Sequence, residues 1–244
     1  MVLQYPFFPE QASNIPLNDD LFFVTVFSAI LAFLVAFRVF KFYKLAGMSA
    51  LLGMPVGFAF LAASYMLVNT DLWVHDGTEL DGVIDWVSLV ILSYSFSLMA
   101  ISYHYRSADF HDGARLVRVM SYAIIPLMGL LMTVVLSTSE QRELVPFQIA
   151  DEYFAIFNMA AIGYILLKSV RGILTDGTTR PMYIPVAFAL LWIGQFLAFA
   201  SAVSGELTEI IMPEAASLAG LLIFTYTLYS RVLRGGKVAK RATP

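Results

Sequence analysis

No cysteine occurs in the 244 residues. Disulfides, thiol nucleophiles and cysteine-ligated metals are therefore excluded. Histidine is almost as scarce, with three copies and no H-x-x-x-H pair, so zinc-hydrolase chemistry lacks its ligands. Charge is thin: Asp, Glu, Lys and Arg make up only 14% of the chain, where a soluble domain carries roughly a quarter. The first twenty residues contain Pro6, Pro9, Pro16, Glu10, Asp19 and Asp20 but no Lys or Arg, so the basic start of a cleavable signal peptide is missing. No glycine-rich phosphate loop, Ser-His-Asp set or basic nucleic-acid patch is present, and no enzymatic constellation or nucleic-acid partner is expected.

What the chain has is apolar length. It is 59% hydrophobic with a mean hydropathy of +0.75, and a bilayer is crossed by about twenty apolar residues. Seven such spans are expected, at about 20–42, 47–68, 83–104, 118–137, 150–170, 183–204 and 211–231. Asn18, Asp19 and Asp20 offer caps for the first. The organisation is an arm over 1–18, a seven-helix transmembrane domain over 19–232 and a basic tail over 233–244. Fourteen of the fifteen Lys and Arg fall on the side of the 1–2, 3–4 and 5–6 connections and the C-terminus, leaving Arg142 alone opposite. By the positive-inside rule the N-terminus is outside and the C-terminus cytoplasmic, in a multi-pass protein of the cell membrane. The basic rim sets topology and touches anionic lipid.

Asp76-Gly77 suits a tight turn between short strands at Leu72–Val74 and Thr78–Leu80. His75 beside it reads as a loop residue. His104 and His111 flank the inner mouth of the third span, which is not the facing-helix arrangement that bis-histidine haem needs. Gly47, Ser49, Gly53, Gly57, Ala62, Ala63 and Ser64 mark the second span for close helix packing. Asp151-Glu152 read as caps of the fifth span. Asp85 and Glu214 are acids at the outer starts of the third and seventh spans. Each also fits as an ordinary acid at a helix N-terminus. Facing inward, they would instead be functional groups, with Trp86, Tyr94, Asn158, Tyr164, Trp192 and Gln195 lining the same interior.

GFAFLAASYMLVNTDLWVHDGTELDGVIDW, Leu191-Trp192 and PEAASLAGL together resemble the microbial rhodopsins, seven-helix proteins with the N-terminus outside. Asp85-Trp86 match that family's counterion and the tryptophan beside it. Trp192 resembles its chromophore-sandwiching tryptophan, and Glu214 and Gly220 match its seventh-helix acid and glycine. The lysine that holds retinal in that family falls at Leu218, and no other lysine lies inside a span. Gly82, Phe96 and Gln195 depart from the family's arginine, second carboxyl and aromatic. The resemblance implies a rhodopsin-like, all-α seven-helix bundle without covalent retinal. Its expected role is a sensory, receptor-like or accessory module acting through a separate membrane or cytoplasmic partner, as a single copy or a homo-oligomer. The alternatives are a small proton- or ion-coupled transporter or channel, or a structural subunit. With neither lysine nor arginine nearby, Asp85 and Glu214 are expected to keep at least one of the two protonated at neutral pH, to share a proton or to hold a cation.

Overall fold

The computed structural model describes residues 17–46, 52–73, 79–106, 147–176, 182–204 and 211–241. Six helices account for nearly all of them: α1 Leu17–Ala46, α2 Gly53–Trp73, α3 Glu79–Arg106, α4 Phe147–Asp176, α5 Tyr183–Ser204 and α6 Ile211–Arg241. Five are long and apolar enough to cross a membrane, and α2 holds a shorter apolar stretch over Gly53–Asn69. The chain is all-helical among the described residues and has the character of a multi-pass membrane protein. The expected fourth span, His75, His111 and Arg142 lie outside the described residues, as do Gly47 and Ser49.

Proline and glycine punctuate the helices. Pro55, Pro185 and Pro213 are each the third residue of α2, α5 and α6. A proline there loses no bond, because first-turn amides have no intrahelical acceptor. Gly47, Gly177 and Gly205 are the residues that follow the last residues of α1, α4 and α5 in the sequence, the asymmetry expected of helix ends. Pro55 also explains why α2 starts at Gly53 and not near 47. A helix begun at 47 would carry Pro55 in its third turn and break there.

Several expectations are corrected. Leu72 and Trp73 belong to α2, and Glu79 and Leu80 to α3, so no strands stand at Leu72–Val74 or Thr78–Leu80. The two helices use up the residues a hairpin would need. Asp151 and Glu152 lie in the second turn of α4, which starts at Phe147, and do not cap it. Asp85 lies six residues beyond the start of α3, past the turn where the helix dipole acts. Glu214 does sit in the first turn of α6, which runs on as helix to Arg241.

Each helix packs on its neighbours in chain order, and α6 returns to α1, closing a ring. Lipid tails are as apolar as leucine, so burial alone does not hold such helices together; close contact and interhelical hydrogen bonds do. Gly53 and Gly57 of α2 lie against α3. A Cβ at Gly57 would stand 2.8 Å from the Ser95 carbonyl oxygen and 2.7 Å from Met99 Cγ, and one at Gly53 would stand 2.7 Å from the Leu98 carbonyl oxygen. Gly220 of α6 faces α5 in the same way, 2.8 Å from the Ala187 carbonyl oxygen.

The contacts also set direction. α2 runs against α3 (Gly53 by Ser102, Phe60 by Tyr94) and against α6 (Phe58 by Phe224, Tyr65 by Ser217). α5 runs against α6 (Gly220 by Ala187, Gly194 by Pro213) and against α4 (Gln195 by Asn158, Trp192 by Gly163). It follows that α3 and α4, neighbours in the ring, run the same way.

Gly57→Val is expected to destabilise the bundle by about 1–3 kcal/mol through overpacking against α3. Gly172→Ala is the opposite case, since a Cβ there meets nothing within 4 Å, and is expected to be neutral or to stabilise by up to about 1 kcal/mol. Reversible unfolding in mixed micelles measures both.

Candidate functional site

The polar interior is gathered toward the end of the bundle where α1 begins. Ser217 follows Glu214 by three residues on α6, which places the two on one helix face. Tyr65 of α2 is buried, its hydroxyl hydrogen-bonded to the Ser217 side chain, and Glu214 lies near enough to act on it electrostatically. α5 closes the third side. A Cβ at Gly194 would collide with Ser217 Oγ and stand 2.8 Å from the Pro213 carbonyl oxygen. Only glycine permits that approach. Glu214 Oε2 is fully buried and has no hydrogen-bond partner among the described residues.

Two further pairs flank this centre. Thr25 of α1 donates to Asn69 Oδ1 of α2 at 2.5 Å, and Asn69 Nδ2 donates to the Tyr65 carbonyl oxygen at 3.0 Å. A polar line therefore runs from α1 through α2 to the tyrosine that meets α6. On the other flank, Asn158 of α4 donates to Gln195 Oε1 of α5 at 3.1 Å. Asn158 is 1% exposed and its Oδ1 is unpaired. Gln195 adjoins Gly194 in the chain, so the amide pair and the close approach to Ser217 of α6 come from successive residues of α5.

The other half of the interior is aromatic. Phe224 meets Phe58 at 5.3 Å and Phe188 at 4.8 Å between ring centroids, and Phe188 meets Tyr103 at 5.6 Å, all edge to face. With Phe96 these rings are buried and fill the bundle from four helices. A groove of about 430 Å³ exists elsewhere, between α1 and α2, lined by Ala29, Ile30, Phe33, Ala59, Ala63 and Met66 among others. It carries no ionisable group.

The expected site residues distribute unevenly. Glu214, Asn158 and Gln195 belong to the polar half. Tyr94 is buried edge-on against Phe60. Trp192 is half-buried, stacked on Phe196 at 5.8 Å, with its indole nitrogen 3.5 Å from where a Cβ of Gly163 would be. Asp85 and Trp86 are half-buried on α3, with the Asp85 carbonyl accepting from Ser88 at 2.9 Å. Tyr164 departs from the expected interior lining. Its hydroxyl meets His104 Nδ1 at 2.5 Å and its ring lies under Lys168, toward the opposite end. Tyr65, Ser217, Thr25 and Asn69 were not anticipated from sequence. The spacing of Ser217 from Glu214 was the available signal for one of them.

Neither protein-family models, nor curated proteins, nor solved structures yield a match to this chain. The site therefore rests on its own chemistry. A carboxyl group beside a phenol and a hydroxyl, with edge-to-face rings filling the other half of the interior, can take a proton, a small cation or a hydrogen-bond donor of a ligand. It has no nucleophile poised on a base, and no group of three or more metal-binding side chains occurs among the described residues.

Glu214→Gln is expected to stabilise the fold by about 1 kcal/mol or more above neutral pH, because it removes a buried group that can carry charge. It should also flatten the pH dependence of the unfolding midpoint. Ser217→Ala is expected to destabilise by roughly 1 kcal/mol, since the buried Tyr65 hydroxyl loses its hydrogen-bond partner on α6. Thermal unfolding of the two variants in one detergent measures the opposite signs.

Proposed function

We propose that the chain is a seven-span membrane protein of rhodopsin-like build without covalent retinal. It serves as a sensory, receptor-like or accessory module that answers to occupancy of the Glu214 site and acts through a separate partner. The observation that carries this is the buried, unpartnered Glu214 oxygen at the meeting of α2, α5 and α6. An ionisable group inside a membrane bundle is costly to keep and is a functional group by default. Here it joins three helices, so a change in its occupancy bears on their packing.

The seventh span is supported by the parallel course of α3 and α4. The chain leaves α3 at one end of the bundle and enters α4 at the other. Residues 107–146 must therefore cover the full height between Arg106 and Phe147, and 118–137 is an apolar stretch long enough to do so. The charge count then places the N-terminus outside.

The absence of covalent retinal is supported by where the lysines sit. Arg38, one turn before Lys41, lies over Tyr229, and Tyr229 is fifteen residues along α6 from Glu214, about 22 Å at helical rise. Lys41 and Lys44 lie beyond it, and Lys168 is near His104 at the same end. An aldehyde held near Glu214 meets none of these amines.

The aromatic half favours a sensor over a transporter or channel. Conduction needs polar groups at both ends of a path, and the rings of Phe58, Phe96, Phe188 and Phe224 occupy the second half.

Two experiments test these points. With no native cysteine to interfere, a cysteine at Ser139 is expected to label only from outside and one at Thr178 only from the cytoplasm; reversed labelling overturns the topology. Added retinal is expected to leave no borohydride-reducible adduct on the wild-type chain, whereas Leu218→Lys should form one with a visible absorption band. A wild-type adduct at a defined lysine overturns the first expectation. A folded Leu218→Lys chain that stays colourless overturns the rhodopsin-like register.

A further inference from the structure

A second site lies at the far end, on the seam between α1 and α6, and it is cationic. The Arg38 guanidinium of α1 sits 4.1 Å over the Tyr229 ring of α6. The ring takes one face of the guanidinium but accepts none of its in-plane donors. Arg38 Nε is buried and has no hydrogen-bond partner among the described residues. One turn on, Lys41 lies over Phe37 at 4.8 Å, and Lys44 lies over Phe40 at 5.0 Å. The three cations step along α1 at intervals of three residues and are held by aromatic faces. None forms an ion pair among the described side chains.

We propose that this seam binds the phosphate of an anionic glycerophospholipid, with Arg38 as the forked donor and Lys41 and Lys44 as flanking charges. A guanidinium fixed by its face presents its edge, the geometry that phosphate oxygens accept in a bidentate way. The depth is that of a headgroup: Lys41 and Lys44 follow Arg38 within two turns of α1, and Arg231, two residues after Tyr229, is the first charge after the apolar stretch of α6. Lipid, and not a free anion, is indicated by what surrounds the charges. Ile30, Phe33 and Phe37, which precede Arg38 on α1 and so lie on its membrane side, are all exposed. An acyl chain below a bound phosphate covers these side chains, whereas inorganic phosphate leaves them bare. The site is independent of the Glu214 centre.

The test is native mass spectrometry of the full chain released from bilayers of phosphatidylcholine mixed with phosphatidylglycerol, with inorganic phosphate as competitor. The wild type is expected to retain phosphatidylglycerol in preference to phosphatidylcholine. Arg38→Gln should lower that preference about fivefold, and Arg38→Lys should not restore it, because the fork is lost. Inorganic phosphate should not displace the lipid. Should Arg38→Gln fail to fold, Tyr229→Leu, which keeps the charge but removes its platform, and the Lys41→Gln/Lys44→Gln pair must each reduce the preference. Unchanged lipid selectivity in the folded variants overturns the proposal. So does equal displacement by inorganic phosphate, or retention of an acidic protein in place of lipid.

Discussion

Contact between helix backbones at glycine is the constraint on which the remaining structure depends. In a bilayer the helices gain nothing from leaving water, so what draws them together is the closeness they can achieve. Gly53 and Gly57 bring α2 against the carbonyls of α3, and Gly194 and Gly220 bring α5 against α6. These contacts decide the site as well as the packing. With α5 pressed onto α6 at Gly194, Ser217 meets both Gly194 and Tyr65, and one turn before it Glu214 Oε2 is buried without a partner among the described residues. A side chain at 194 would open the wall that makes the carboxyl group unusual.

The interior has two unlike halves, and their order along the bundle bears on function. Hydrogen bonds between side chains join α1 to α2 and α4 to α5 near the Glu214 end. Edge-to-face rings from α2, α3, α5 and α6 fill the other. A polar half specifies register, because each unmatched donor or acceptor is penalised in a low-dielectric interior. The aromatic half is held by ring contacts, which are less exacting of register. The ionisable group therefore stands in the half whose register is fixed.

Much of the helical framework was legible in the sequence, and the reason is plain in the boundaries. The span expected at 183–204 coincides with α5, whose start is set by Pro185 and whose end is followed by Gly205. α2 was misplaced by six residues because hydropathy registers Leu51 and Leu52 as readily as Val56, and only Pro55 forbids the earlier start. The apolar span expected at 211–231 lies within α6, which continues as polar helix to Arg241. The loop strands failed for a related reason. Asp76-Gly77 is a good turn, but α2 and α3 each extend into the residues that would have flanked it.

The site was less legible, because its decisive members are ordinary residues made important by a neighbouring helix. Glu214 announces itself as a charge in an apolar span. Tyr65 does not, since a tyrosine in such a span serves equally for packing, and only the α2–α6 contact gives its hydroxyl a partner. Asp85 looked like the equal of Glu214 in sequence, yet it lies deeper in its helix than a dipole-stabilised acid would.

α6 is what relates the two ends of the molecule. It is continuous from Ile211 to Arg241 and carries Glu214 and Ser217 near its start and Tyr229 beneath Arg38 further on. Over the intervening fifteen residues, about 22 Å, it is bound to α5 at Gly220 and to α2 through Phe224. A helix so held fixes the separation of the carboxyl group from the platform of Arg38, and the two sites share α6 without sharing a side chain.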